Sequence, residues 1–303
     1  MENAVISPRR NSRRRMGAIG AALLILTGLI AIQTVPEFIL FRERLVLNIL
    51  ELESSIDLRP IDLSTHDGLT LRSWYHAPAP GKPVIVYFPG RMGDLIRKPA
   101  HLFELAEEGY GLMLAGYRGF GGNPGRPSEQ MLYRDAATLL SAVTAEGLAP
   151  DGIVLYGYSM GTGIASYVAT QARPRALILE APFTSFPAAV RKQAPSVPIW
   201  LVRSRFDTVS RISSIDVPIL LLAGEEDRIT PPDFAKALAA MNEGFSKLEV
   251  FPGANHVNMI RHGALDTISG FLINLAGAAE PEQAEEVAER ELTPGLIPAV
   301  LEE

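Results

Sequence analysis

The chain has 303 residues and no cysteine, so disulfides, thiolate zinc sites and cysteine nucleophiles are excluded from the outset. Its net charge of −6 argues against a nucleic-acid surface, because phosphate binding needs clustered Lys and Arg and the one dense cluster is Arg9, Arg10, Arg13, Arg14 and Arg15. The 47% hydrophobic content and mean hydropathy of +0.14 are high, and much of the excess sits in a single N-terminal stretch.

That stretch, residues 17–35, carries no charge and is long enough as a helix to cross a hydrocarbon layer of about 30 Å. It is expected to be one transmembrane helix. The basic residues 1–16 before it, against Arg42 and Arg44 diluted by Glu37 and Glu43 after it, put the N-terminus in the cytoplasm and the main domain on the exoplasmic side. A cleaved export signal is the alternative. Residues 36–55 form an amphipathic run expected to be a helix linking the lipid bilayer to the domain, and residues 277–303 form an acidic tail, expected to be mobile.

Residues 56–276 read as one domain. Residues 61–65 and 69–75 alternate around His66-Asp67-Gly68, the pattern of an antiparallel hairpin. A short, continuous apolar run follows at 83–88, and similar runs recur at 111–115, 152–156, 176–179, 217–222 and 248–251, the last interrupted by Glu249; runs apolar on both faces belong to buried parallel strands. Helical patterns lie between them at 98–108, 129–145, 161–171, 232–241 and 264–276. This alternation predicts an α/β fold with a doubly wound, mostly parallel sheet and sites at the carboxyl ends of its strands. The segment 182–214 is too long for a simple crossover and is expected to form a short helical cap over the site.

The strongest chemical signal is Gly157-Tyr158-Ser159-Met160-Gly161, directly after a predicted strand and directly before a small-residue helix. A tight strand-turn-helix corner needs nearly side-chain-free positions two residues before and after its apex, and it exposes the apical serine at a helix N-terminus. A serine hydroxyl is a weak nucleophile and needs an imidazole to take its proton, itself oriented by a carboxylate. His256 alone among five histidines ends a loop after a late strand; His66 and His76 lie in the opening hairpin, His101 on an early helix and His262 is expected inside the last helix. Among Glu225, Glu226 and Asp227, which follow the strand at 217–222, Asp227 is preferred as the acid for its short side chain four residues before Pro231. The order Ser159, Asp227, His256 is the one this architecture imposes on a nucleophile, acid and base. Two N–H donors must face the developing oxyanion: Met160 by position, and Arg91, or else Met92, from the loop after Phe88, where Asp94 is read as a helix cap. No cofactor or metal is implied, since no His, Asp and Glu cluster has ligand spacing.

With these residues assembled, the chain resembles the α/β-hydrolase superfamily, and within it the membrane-anchored proteins of the serine aminopeptidase-like and monoacylglycerol lipase-like branches. The likeness spans residues 56–276. Besides the serine corner it rests on Tyr117-Arg118-Gly119-Phe120-Gly121-Gly122-Asn123-Pro124-Gly125, Pro127-Ser128-Glu129, Ala181-Pro182-Phe183-Thr184-Ser185 and the 224–231 loop. The resemblance implies that the Tyr117 stretch closes the strand beside the nucleophile, a scaffold role. It also exposes a departure: relatives usually carry His-Gly in the oxyanion loop, where this chain has Pro89-Gly90. A backbone donor survives that change, but a side-chain contact that would hold the loop does not.

The resemblance implies a serine hydrolase that cleaves a small-molecule ester, thioester or lipid-like substrate near a membrane through an acyl-enzyme. A serine aminopeptidase or acyl-peptidase shares the machinery, and Asp207 in the cap is the one obvious reader of a substrate amine, though capping a short helix is its plainer role. A non-catalytic, membrane-tethered binding protein would keep the fold without needing the full residue set.

Overall fold

The computed structural model describes residues 56–91 and 100–278. An eight-stranded sheet forms its centre: β1 (Arg59–Ser64), β2 (Thr70–His76), β3 (Val84–Phe88), β4 (Gly111–Leu114), β5 (Ile153–Tyr158), β6 (Ala176–Glu180), β7 (Ile219–Gly224) and β8 (Ser246–Phe251), in the spatial order β1-β2-β4-β3-β5-β6-β7-β8. β1 and β2 make the expected antiparallel hairpin, and β2 joins β4 antiparallel. From β4 to β8 every pairing is parallel. The hairpin reverses at Gly68, whose φ of 81° suits a residue without Cβ, and it closes through the Thr65 N–H to the Leu69 carbonyl at 2.8 Å.

Strand alternation sorts the core into two layers. Val84, Val86 and Phe88 of β3 pack with α2 (Glu129–Ala145), α3 (Met160–Ala169) and α6 (Pro232–Ala240), whereas Ile85 and Tyr87 pack with α1 (Ala100–Glu107) and α7 (Ala264–Ala278). Central strands β3 to β7 are buried almost throughout, as continuous apolar runs require when helices cover both faces. β8 departs from that expectation. It is the sheet edge, and its exposure pattern is that of a strand covered only in part.

Between β6 and β7 the chain rises into α4 (Phe186–Gln193), a 3-10 turn at Ile199–Leu201 and α5 (Val209–Ile212). Ser185 caps α4 by accepting from the Ala188 N–H at 3.4 Å. Glu129, at the start of α2, ties this segment down: its carboxylate accepts from the backbone N–H groups of Arg205 at 2.6 Å and Phe206 at 2.7 Å, and from the Tyr133 hydroxyl at 2.9 Å.

Among the described residues no helix is long and apolar enough to cross a membrane. The expected spanning helix at 17–35, the linker at 36–55, Met92 and Asp94, and residues 279–303 of the acidic tail lie outside the described residues.

Candidate active site

β5 ends where α3 begins, and Ser159 alone turns the corner, with φ 50° and ψ −116°. A non-glycine residue at positive φ is strained by about 1–3 kcal/mol. The flanking glycines explain why the corner exists at all. A Cβ on Gly157 would lie 2.5 Å from the Gly161 carbonyl oxygen, and one on Gly161 would lie 1.9 Å from that of Phe88. Ser159 is held by its N–H to the Glu180 carbonyl at 2.9 Å, and its own carbonyl accepts from the Thr162 hydroxyl at 2.6 Å.

Asp227 and His256, the predicted acid and base, lie on loops after β7 and β8 that are laced to each other. Glu225 N–H donates to the Phe251 carbonyl at 3.1 Å, Glu226 N–H to that of Ala254 at 2.8 Å, and Gly253 N–H to the Glu225 carboxylate at 3.2 Å. Gly224 is obligatory at this crossing, since a Cβ there would meet the Ala254 carbonyl oxygen at 2.5 Å. Glu225 and Glu226 are exposed, Glu225 engaged with the Gly253 N–H, while the Asp227 side chain is fully enclosed.

These loops bring three of the predicted residues within hydrogen-bonding reach. His256 Nε2 lies 3.1 Å from Ser159 Oγ, and His256 Nδ1 lies 2.7 Å from Asp227 Oδ2. Asp227 is saturated with donors. Oδ1 accepts from the N–H groups of Ile229 at 2.7 Å and Thr230 at 2.9 Å, and Oδ2 from the Thr230 hydroxyl at 2.8 Å. With the carboxylate ionised, the proton of the neutral imidazole belongs on Nδ1, leaving Nε2 to accept from the serine hydroxyl. Burial alone would raise the Asp227 pKa, but the hydrogen bond and charge of His256, with the backbone and hydroxyl donors of Thr230, outweigh it and hold the carboxyl below its usual range.

Two neighbours of this trio lie outside the nucleophile, base and acid residue types that the chemistry requires. Thr230 contacts both partners, its Oγ1 lying 3.1 Å from His256 Nδ1 as well as donating to Asp227. The spacing Asp227-x-x-Thr230 is the one in which a carboxylate gathers local N–H groups, so an Asx-type turn was the available clue. Tyr158 donates its hydroxyl to the His256 carbonyl at 2.9 Å, linking the His256 loop to the strand that leads into Ser159. Behind the corner, Glu180 is completely buried and accepts from the Tyr156 hydroxyl at 2.8 Å, which also lies 3.2 Å from His101 Nε2.

Met160 opens α3 beside the serine. Gly90 also abuts Ser159: a Cβ on it would lie 3.5 Å from Ser159 Cβ. Of the other candidates, Asp207 accepts from the Ser210 N–H at 3.3 Å, at the start of α5. His66 lies 3.2 Å from an Arg134 nitrogen, and His76 faces the Asp57 carbonyl at 3.0 Å. His262 is not inside the last helix. It ends the 3-10 turn Met259–His262, which Gly263 at φ 94° separates from α7. Among the described residues no group of three or more His, Cys, Asp or Glu could hold a metal ion.

The sheet order, the sharp serine corner and the loops after β7 and β8 define an α/β-hydrolase architecture. The family described as "Serine aminopeptidase, S33" matches residues 79–206. An uncharacterized protein of Mycobacterium tuberculosis is 33% identical over 202 residues, covering 65% of this chain and 72% of its own. Lysophosphatidylserine lipase ABHD12 of Danio rerio is 30% identical over 183 residues, covering 52% of this chain and 46% of its own. Among solved structures, the Pyrococcus furiosus esterase Pf2001 superposes with a TM-score of 0.61 at 18% identity, covering 76% of this chain and 95% of that one. An acetyl xylan esterase from Paenibacillus sp. R4 gives 0.60 at 20% identity, covering 83% and 93%. The chain belongs to the α/β-hydrolase superfamily.

Proposed function

We propose that the protein is a serine hydrolase that cleaves carboxylic ester or thioester bonds through an acyl-enzyme, with Ser159 as nucleophile, His256 as general base and acid, and Asp227 as the group that orients it. The observation that carries this reading is the continuous relay from Ser159 Oγ, 3.1 Å from Nε2, through the imidazole to an enclosed carboxylate 2.7 Å from Nδ1. As Oγ attacks the substrate carbonyl, its proton passes to His256 Nε2 and the electron pair moves onto the carbonyl oxygen. The N–H groups of Met160 and Arg91 receive that oxyanion. Collapse expels the leaving group, which takes the proton from Nε2. Water then repeats the sequence on the acyl-serine and releases the acid.

A lipid-like or small acyl substrate near a bilayer fits the uncharged segment at 17–35 and the lipase named among the relatives. The domain would lie on the exoplasmic side, from the arginines preceding that segment. Ester cleavage is favoured over aminopeptidase action because Asp207 is engaged with the Ser210 N–H of its own helix. A fluorophosphonate probe tests the assignment. It should label the folded protein and leave Ser159→Ala unlabelled, and p-nitrophenyl butyrate turnover should disappear in the same variant. Equal labelling of both proteins, or a folded wild type that neither labels nor turns over ester, would refute it.

A further inference from the structure

The departure at Pro89-Gly90 removes the side chain that would steady the oxyanion loop, and the structure supplies another one. Pro89 has no N–H, so its nitrogen cannot extend the β3 ladder past Phe88. Its carbonyl, however, accepts from the hydroxyl of Tyr117 at 2.9 Å, in a wholly buried contact. Tyr117 stands just past β4, 5% exposed, packed with Phe88 and Met160, its ring meeting that of Phe120 edge to face at 6.2 Å. The same carbonyl is confined from the other side by the serine corner, where a Cβ on Gly161 would come within 2.8 Å of it. Burial keeps the Tyr117 phenol far above its ordinary range, so it remains an O–H donor at every working pH.

We propose that Tyr117 is a positioning residue for the oxyanion hole: by holding the Pro89 carbonyl it sets the direction in which the Arg91 N–H points beside Ser159. The reasoning is one of backbone geometry. The Pro89 carbonyl belongs to the rigid peptide plane shared with Gly90, and only the φ and ψ of Gly90 separate that plane from the one carrying the Arg91 N–H. Glycine imposes little preference on those angles, so anchorage must come from outside. The Tyr158 ring restricts Gly90 on one side, 2.9 Å from where a Cβ would lie, and Tyr117 fixes the plane before it. Without the hydroxyl the plane can rotate, and the donor leaves the reacting oxygen. This assignment rests on the serine-hydrolase reading and adds to it a residue that touches neither substrate nor the Ser159–His256–Asp227 relay.

The test is Tyr117→Phe in the full chain, which keeps the ring and deletes the donor. Loss of one complete oxyanion donor costs about 100–1,000-fold in kcat, so a misaimed one should cost about 10–100-fold, with KM within about twofold of wild type. The affinity for an alkyl trifluoromethyl ketone, which forms a tetrahedral adduct with the serine, should fall by the same factor as kcat/KM. The apparent pKa of the kcat/KM profile should not move, because the base is untouched. para-Aminophenylalanine at position 117, a weaker donor of similar shape, should give a kcat between the two, about 3–10-fold below wild type by the same scale. A folded Phe variant with wild-type kcat overturns the proposal, as does a loss confined to KM or accompanied by a shifted pKa. If the Phe variant does not fold, wild-type kcat in the aminophenylalanine variant overturns it. A wild type without ester turnover refutes the serine-hydrolase reading and this assignment together, whereas an active wild type matched by its Phe variant refutes this assignment alone.

Discussion

Asp227→Asn is the sharpest probe of how the relay works, because it changes charge and donor pattern while leaving shape alone. Oδ1 receives two backbone N–H groups, from Ile229 and Thr230, so the carboxamide oxygen will settle there. The amide nitrogen must then occupy the Oδ2 site, facing His256 Nδ1 at 2.7 Å. Two donors cannot face each other, so the imidazole proton moves to Nε2 and Nδ1 becomes the acceptor. Thr230 can rotate its hydroxyl to accept from the new amide, which keeps the pocket satisfied. The enzyme should therefore fold normally but present an N–H to Ser159 Oγ, where an acceptor is needed. A comparable tautomer error in a serine protease triad costs about 10⁴ in kcat, equivalent to about 5.5 kcal/mol of barrier. The assay is p-nitrophenyl butyrate turnover at pH 7.5, paired with thermal melts and the rate of fluorophosphonate labelling. A folded variant that retains more than about a tenth of wild-type kcat would show that Asp227 does not set the tautomer, and Glu226 would become the acid to test.

Other outcomes follow from the same contacts. Thr230→Val deletes the hydroxyl that donates to Oδ2 but keeps the backbone N–H to Oδ1; the lost hydrogen bond of about 1–1.5 kcal/mol predicts a melting temperature lower by roughly 2–6 °C, read by thermal melts, and a folded variant whose kcat falls no more than about tenfold. Gly161→Ala and Gly270→Ala form a contrasting pair. The first sets a methyl 1.9 Å from the Phe88 carbonyl oxygen and should abolish soluble expression, while the second has nothing within 4 Å and should raise helix stability by about 0.5–1 kcal/mol, as read by urea unfolding. The acid arm of stability tests Asp227 independently of catalysis. Its folded pKa is lowered, so on acidification the unfolded chain takes up the proton first. The stabilisation is complete above the unfolded value near 3.8 and is lost as pH falls through the lower folded one. The gap in urea midpoint between wild type and Asp227→Asn should accordingly narrow below about pH 4, and a constant gap would contradict the shift.

How much of this was legible in the sequence depends on the kind of constraint involved. Strands β3 to β7 can be read because burial on both faces leaves them almost wholly apolar, with Glu180 at the end of β6 the exception. β8 differs in its residues as well as its place: Lys247 and Glu249 alternate with Leu248 and Val250, the pattern of a strand covered only in part, and it lies at the sheet edge. The serine corner is legible because the turn itself demands small residues on either side of its apex: a Cβ on Gly157 collides with Gly161 four residues on, although the collision that fixes Gly161 is with Phe88 on β3. Tyr158 and Tyr117 are not, because their partners lie 98 and 28 residues away in the chain and their residue type suits many surroundings; Thr230 shows only as the end of the Asp227 turn, since its contact with His256 spans 26 residues. His262 was misassigned for a local reason: Gly263, in the left-handed region, starts α7 anew after a 3-10 turn that has nearly the same apolar spacing.

The positive-φ residues show why this site needs a large domain beneath it. Ser159, Ala181 and Phe206 are the non-glycine residues of that kind among those described, at φ 50°, 52° and 38°. Each is braced by an N–H bond to a neighbouring element: Ser159 to the Glu180 carbonyl, Ala181 to that of Leu222, and Phe206 to the Glu129 carboxylate. The first two bonds run from one strand end to the next, β5 to β6 and then β6 to β7, so the Ser159 corner is held by a row of bonds along the rim of the sheet. The third closes the sequence through the cap, where the Phe206 ring packs on Gly163 of the nucleophile's own helix. Three strained residues cost about 3–9 kcal/mol together, comparable with the whole net stability of a typical domain. Each fully buried Leu or Ile of β3 to β7 returns about 1.5–3 kcal/mol, so the central strands alone can offset that cost. Cavity-forming substitutions there, such as Leu221→Ala, are therefore expected to act on the serine corner from a distance, by loosening the strand ends that hold it.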